Sequence, residues 1–275
     1  MQHKPSITFL AILTIAAMLA GAGCAKLRAR DQLNKGVEAF KSGQFDQAIE
    51  HFKLARQYDP TLTNAQLYLA SAYAQQYVPG RPTDDNIRNG QEAIRVNQEI
   101  LSSDPNNLSA IDNLGSLTFN MAKTPFDEQG MNNAKNFQEK HIQISPNDPD
   151  PYYWVGVIDW SLAYHDNQDI RQNYNVAAKK QLKNDDPLPP QQAKDFTAQY
   201  GATVDDGITN LNKAIELKPD YDDAMAYLSL LYRQKADTET SATARTSDEK
   251  TADDLVDKVK AIKQKKEQAG GQQTS

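Results

Sequence analysis

Residues 29–62 read ARDQLNKGVEAFKSGQFDQAIEHFKLARQYDPTL, a 34-residue segment with apolar residues at helical spacing on either side of Ser42-Gly43 and a close on Asp59-Pro60. The closing step recurs. Asp104-Pro105, Ser145-Pro146 and Lys218-Pro219 each end an amphipathic stretch and are followed within a few residues by a new apolar-periodic one. A feature that returns in this way marks an internal repeat, and repeats outrank every other local reading when a fold is assigned.

Counting back from Pro60 meets Ala55, Phe52, Ala48, Phe45, Gly43 and Gly36. This series resembles the tetratricopeptide repeat, which places small residues where its two helices touch and aromatics where they are wedged apart. The resemblance implies an all-α fold, a right-handed superhelical solenoid of helix-turn-helix repeats with about five to six helix pairs over 29–266. Each pair of such a solenoid leaves its apolar face to be covered by the next. No segment alternates apolar and polar residues between turns, so strands are not expected.

Later units keep the pairs and stretch the turns. Residues 64–77 carry Leu69, Ala70 and Tyr73 at the family's leucine, small-residue and tyrosine positions, and their partner, 89–102, carries Ala93 and Ile100. The third unit has Leu114-Gly115 and Ala134, and the fourth begins at Tyr152-Tyr-Trp-Val-Gly156. Insertions are expected near 78–88, 123–130, 165–203 and 237–251. Pro146 and Pro219 are 73 residues apart, and an extra degenerate repeat fits that interval better than a disordered insertion. The last pair is read at 224–233 and 252–266, where Leu255, Val256, Val259 and Ile262 form one face. Asp253, Asp254 and Asp257 lead that helix and lysines trail it, which suits the helix dipole and a polar terminal cap. Residues 267–275 read as a disordered tail.

The amino terminus stands apart. The chain has 30 Lys+Arg against 36 Asp+Glu, a net charge of −6, and a mean hydropathy of −0.71, yet 7–20 is almost unbrokenly apolar behind Lys4. That run is shorter than the ~20 residues of a spanning helix and reads as a signal core. Leu-Ala-Gly-Ala-Gly-Cys at 19–24 resembles the lipobox of bacterial lipoproteins, with Gly21 where that family usually has leucine. The resemblance implies 1–23 as a signal peptide, lipidation of Cys24, export and, with Ala25 following, the periplasmic face of the outer membrane. An ordinary secretory cut after Ala22, leaving a free thiol, is the alternative. Residues 24–28 form a short tether, where Lys26 and Arg28, with Arg30 beyond, serve anionic head groups or a charged first helical turn.

Chemistry finds little support. One cysteine excludes an internal disulfide, and an acidic chain without a basic face gives no case for nucleic acid. His51, His141 and His165 have no partners at metal-ligand spacing, and Asp148-Pro-Asp-Pro and Asp220-Tyr-Asp-Asp read as helix caps rather than calcium ligands. No cofactor, metal site or catalytic residue is expected, and no enzymatic activity.

What the repeat resemblance implies is a concave groove lined by the first helix of each pair. Carried over position by position, it offers Leu67, Ser71 and Gln75, then Asp112, Ser116, Phe119 and Asn120, then Tyr153, Val157 and Trp160. Phe40, Phe119 and Trp160 share one position in three units, either as a row of groove aromatics or as packing between helices. Leu33 and Val37 stand where the family's clamp for a terminal carboxylate needs polar groups. The expected function is a non-enzymatic scaffold, anchored through Cys24, that binds an extended peptide or partner helix of the cell envelope. The alternative is a structural assembly lipoprotein for an outer-membrane barrel, secretin or export complex.

Overall fold

The computed structural model describes residues 7–178, 181–183 and 186–271, with side chains from Gly23 to Gln268 within those ranges. Among them are ten helices and no β-strand: α1 Ile7–Lys41, α2 Phe45–Tyr58, α3 Thr63–Gln76, α4 Asp84–Ser103, α5 Leu108–Ala122, α6 Glu128–Ile144, α7 Pro149–Ala178, α8 Pro190–Leu217, α9 Asp222–Thr238 and α10 Ala242–Gly271.

The proline steps build one turn four times. After α2, α4, α6 and α8, the amides of Asp59, Asp104, Ser145 and Lys218 each close a last helical turn on the carbonyl four residues back. The amides of Leu62, Asn107, Asp148 and Tyr221 then bond back to those same four residues at 3.0–3.1 Å. Proline therefore occupies the second position of every turn, where its fixed φ suits the bend and its missing N–H costs nothing. The next helix starts one residue later. Asn107 caps α5 by accepting from the Ala110 amide at 3.1 Å, and Asp148 Oδ1 accepts from the Asp150 amide at 3.0 Å.

Inside the first pair, α1 ends in a Schellman motif. Gln44 N–H bonds Ala39 O at 2.9 Å, Gly43 N–H bonds Phe40 O at 3.0 Å, and Gly43 takes the left-handed conformation at φ 72° that this stop requires. The chain reverses, and α2 lays fully buried Phe52 on buried Gly36, where an added Cβ would stand 2.6 Å from the ring's Cδ1. Small and aromatic residues are thus matched across this contact. Phe52, Ile49, Leu69 and Val96 form the core of the stack with Ala48, Ala70 and Ala72, and Leu33, Val37, Phe40 and Tyr73 pack against it.

The chain divides into two compact units between Pro125 and Phe126. In the first, α2 packs on α1 and α3, and α4 on α3 and α5; in the second, α7 packs on α6, α8 and α9, and α9 also on α8 and α10.

Several boundaries differ from the sequence reading. Helix α4 begins at Asp84, inside the expected 78–88 insertion, because buried Asn86 in its first turn pins the loop: Oδ1 accepts from Val78 N–H, and Nδ2 donates to Val78 O and Arg81 O. Among its described residues, the 165–203 interval holds no extra helix pair. The fourth pair is instead made of two long helices, α7 with 30 residues and α8 with 28, which absorb the spacing. Gly156 against Leu211 and Gly207 against Leu231 bring α7, α8 and α9 close. The 237–251 stretch is helical except for a short break, since α9 runs to Thr238 and α10 starts at Ala242. Helix α10 continues past Lys266 to Gly271, and the rest of the expected tail, 272–275, lies outside the described residues. Residues 1–6 and the side chains of 7–22 do so too, so the signal-peptide reading falls largely outside them. Cys24 is an exposed free cysteine within α1, and no helix of the described residues is long and apolar enough to cross a membrane.

Candidate functional site

In the first unit, α3, α4 and α5 enclose a groove of about 240 Å³. Four of the seven groove residues expected on α3 and α5 line it: Ser71 and Gln75 from α3, Ser116 and Asn120 from α5. Leu67 lines a continuation that shares Ser71 and Asn113 with it. Asp112 does not line either, and Phe119 is buried, 6 % exposed, with the Lys123 ammonium 5.5 Å from its ring centre. Phe119 is therefore a packing residue, a correction to its place in the groove set. Two amides unforeseen in the sequence complete the wall. Asn97 is buried on α4 and donates to Ala93 O at 2.9 Å, and its Oδ1 receives a long 3.4 Å contact from Asn113 Nδ2. Amides from three helices thus converge on one surface. An amide offers both a donor and an acceptor, the pair of functions that an extended peptide backbone offers in return.

In the second unit, the first helices α7 and α9 meet through aromatic rings. Tyr153 lies 5.1 Å from Tyr221 and 5.8 Å from Tyr227, centre to centre, and Trp160 lies 5.3 Å from Tyr227 and 5.0 Å from Tyr164, stacked on the latter. Tyr153, Trp160, Tyr221 and Tyr227 are half-buried and Tyr164 is exposed, so the rings pack together and keep part of their faces in solvent. Val157 does not belong to this surface. All of 155–159 is buried, because α6, α8 and α9 surround α7 there and leave no outward face. Tyr227, the ring that joins Tyr153 to Trp160, was missed. It occupies the sixth position of its helix, the position held by Tyr68, Asn113 and Trp154 in other units, and that recurrence was the available signal.

Burial raises the Tyr153 and Tyr221 hydroxyls well above the ordinary tyrosine range, and carboxylates add to it: Asp223 and Asp150 stand near both, and Tyr221 donates to Asp150 Oδ1 at 2.9 Å. Both phenols therefore remain protonated donors. Lys218 holds its ammonium 4.3 Å from the Tyr221 ring centre.

A separate charged cluster joins α6, α7 and α8. Lys135 of α6 donates to Asp159 Oδ1 of α7 and Asp206 Oδ2 of α8, both at 2.7 Å. Asp159 is fully buried, and desolvation pushes its carboxyl up to about 8 despite the ammonium beside it. The cluster ties three helices together. The described residues contain no group of three or more His, Cys, Asp or Glu arranged to hold a metal ion.

Helix pairs joined by a repeated four-residue proline turn, with small residues at the helix contacts, define a helical-repeat fold of the tetratricopeptide type. No family model matches the chain, and no curated protein matches it in sequence. Among solved structures the chain is similar in fold to MamA: at 18 % identity and a TM-score of 0.54, the match covers 85 % of this chain and 96 % of that one. A MamA chain from Desulfovibrio magneticus RS-1 matches at 17 % identity and a TM-score of 0.54, over 86 % of this chain and 96 % of that one.

Proposed function

We propose that the chain is a non-enzymatic interaction scaffold that grips an extended peptide segment of a protein partner. The observation that carries this reading is the first-unit groove, where Gln75, Asn113 and Asn120 meet Ser71 and Ser116 on one concave surface, with buried Asn97 bonded to Asn113 behind them. Side chains of this kind hydrogen-bond a peptide backbone irrespective of its sequence, and neighbouring pockets then select side chains. The test is binding of the purified chain to a library of uncharged extended peptides. Asn113→Ala combined with Asn120→Ala is expected to weaken the library's best binders about tenfold, the scale of one to two lost hydrogen bonds, with helical circular dichroism unchanged. Binders indifferent to this pair would refute the groove.

The scaffold is held at a membrane by lipid on Cys24, on the periplasmic face of the outer membrane. The lipobox-like context of Cys24 and its exposure support this reading. Metabolic labelling with a fatty acid is expected to mark the wild type and to be lost in Cys24→Ser; an unlabelled wild type would overturn the anchor. Within that location the partner is a component of an envelope complex, and loss of barrel or secretin assembly on depletion would specify the scaffold as an assembly factor.

A further inference from the structure

We propose that the aromatic face formed by α7 and α9 binds the arginine or lysine side chains of a basic peptide segment. The proposal rests on the scaffold reading and names the chemistry of one of its partners. Three observations carry it.

The rings are arranged to receive a cation. Tyr153, Trp160 and Tyr227 form a connected set in which Tyr227 stands roughly perpendicular to both neighbours, at 74° to Tyr153 and 73° to Trp160. Each such contact joins one ring's edge to another's face, and Tyr164 stacks on Trp160, while Tyr153, Trp160 and Tyr227 stay half-buried and Tyr164 exposed, so part of the set's ring surface remains in solvent. A ring face carries the negative end of the quadrupole, and a guanidinium or ammonium within about 6 Å of it is attracted, more strongly over Trp than over Tyr or Phe.

The cluster already holds a cation. Lys218 lies 4.3 Å from the centre of Tyr221, whose hydroxyl is fixed by Asp150 and whose ring adjoins Tyr153. A peptide cation on Tyr227 or Trp160 would repeat, two and three rings further along, an interaction that the chain makes with its own lysine.

The border of the face has the complementary charge. Asp148, Asp150, Asp220, Asp222 and Asp223 lie at the starts of α7 and α9, against Lys218, Lys263 and Lys266; Lys266 pairs with Asp222 at 2.6 Å, and His141 Nε2 lies 3.3 Å from Asp148 Oδ2. An excess of carboxylate beside exposed rings favours a basic segment and repels an acidic one, including a free carboxyl terminus. Arginine suits the site better than lysine, because its planar guanidinium stacks on a ring and donates to a carboxylate at once.

Calorimetry on the full chain in low salt tests the proposal with three amidated octapeptides of alternating sequence: Arg-Ala, Gln-Ala and Glu-Ala. The arginine peptide is expected to bind at least tenfold more tightly than the glutamine peptide, and the glutamate peptide not at all. Trp160→Ala and Tyr227→Leu, which alter no charge, are each expected to weaken the arginine peptide five- to tenfold. Asp150→Asn with Asp223→Asn is expected to do the same, and Asp46→Asn, in the other unit, to change nothing. An arginine peptide that fails to bind overturns the proposal. So does one whose affinity is unmoved by the two aromatic substitutions, which would mark it as general attraction to an acidic protein. Uncharged library peptides held by Asn113 and Asn120 report on the scaffold reading alone, so each can fail without the other.

Discussion

Gly36 shows how a single residue specifies this architecture. Its missing side chain is the space that Phe52 fills, and the two lie 16 residues apart across the Schellman turn at Gly43. Gly36→Val forces the ring out of its seat and is expected to cost about 1–3 kcal/mol, the range for overpacking a tight core, read as a lower urea midpoint. Phe52→Ala leaves a void instead and is expected to cost about 3–5 kcal/mol. Asp159 makes a different prediction. Its folded pKa, about 8, lies above the 3.8 of an ordinary aspartate, so as pH rises the unfolded chain releases this proton first. Stability linked to this group is full below pH ~4, declines through the window from about 4 to about 8, and then levels. Asp159→Asn is expected to remove that decline from a profile of melting temperature against pH. A profile identical to wild type would place the ionisation elsewhere. The Gly36 contact was legible, because a 34-residue unit without a gap preserves the spacing between glycine and ring. The buried state of Asp159 was not, because the burial comes from helices that are remote in sequence.

Among the helices, the least regular are the fourth pair. Their length follows from what holds their far ends. Buried Arg171, near the end of α7, donates to Asn167 Oδ1, to the carbonyls of Lys183 and Asp186, and to Asp237 Oδ2 of α9 at 2.7 Å. One guanidinium therefore fixes the end of α7, the connection to α8 and the end of α9. Leu188 N–H adds a bond to Asp237 O at 2.9 Å. Burial raises the Asp237 carboxyl to about 6 even with Arg171 beside it. Arg171→Ala strands that carboxylate and three carbonyl or amide acceptors, and a loss of about 3–5 kcal/mol is expected by urea denaturation. Asp237→Asn, which keeps an acceptor for Arg171, is expected to cost less. The prolines of Pro187-Leu-Pro-Pro190 disfavour helix locally, and the run lies between the end of α7 and the first turn of α8. What lay beyond reach was the partition of the remaining residues: the extended helices and an extra short pair share one apolar periodicity, and only the contacts of Arg171, Gly156 and Gly207 select the first. Trp160 and Tyr227 repeat the lesson. Their positions on α7 and α9 follow from local pattern, but their meeting depends on how the two helices lie together.

For the molecule as a whole, burial begins a few residues after the first described side chain. From Gly23 onward the first buried side chain is Ala29, and Leu27 is 67 % exposed. If the proposed lipid anchor on Cys24 holds, a chain lacking residues 1–23 is expected to melt within about 2 °C of the full chain and to lose the fatty-acid label; a large drop in melting temperature would mean that these residues are part of the fold. The repeated Xaa-Pro turn, the small-residue contacts of the first pair and the division between the apolar run at 7–20 and the polar remainder are properties of short segments, set by backbone sterics and by apolar period, and the amino-acid order alone specified them. The amide groove, the α7–α9 aromatic face and the Lys135 cluster depend on contacts between residues up to 74 positions apart in the chain. Side chains at such distances become neighbours only through packing. Packing also turned Val157 and Phe119 inward and brought Asn97 and Tyr227 to surfaces that the repeat pattern had assigned to others.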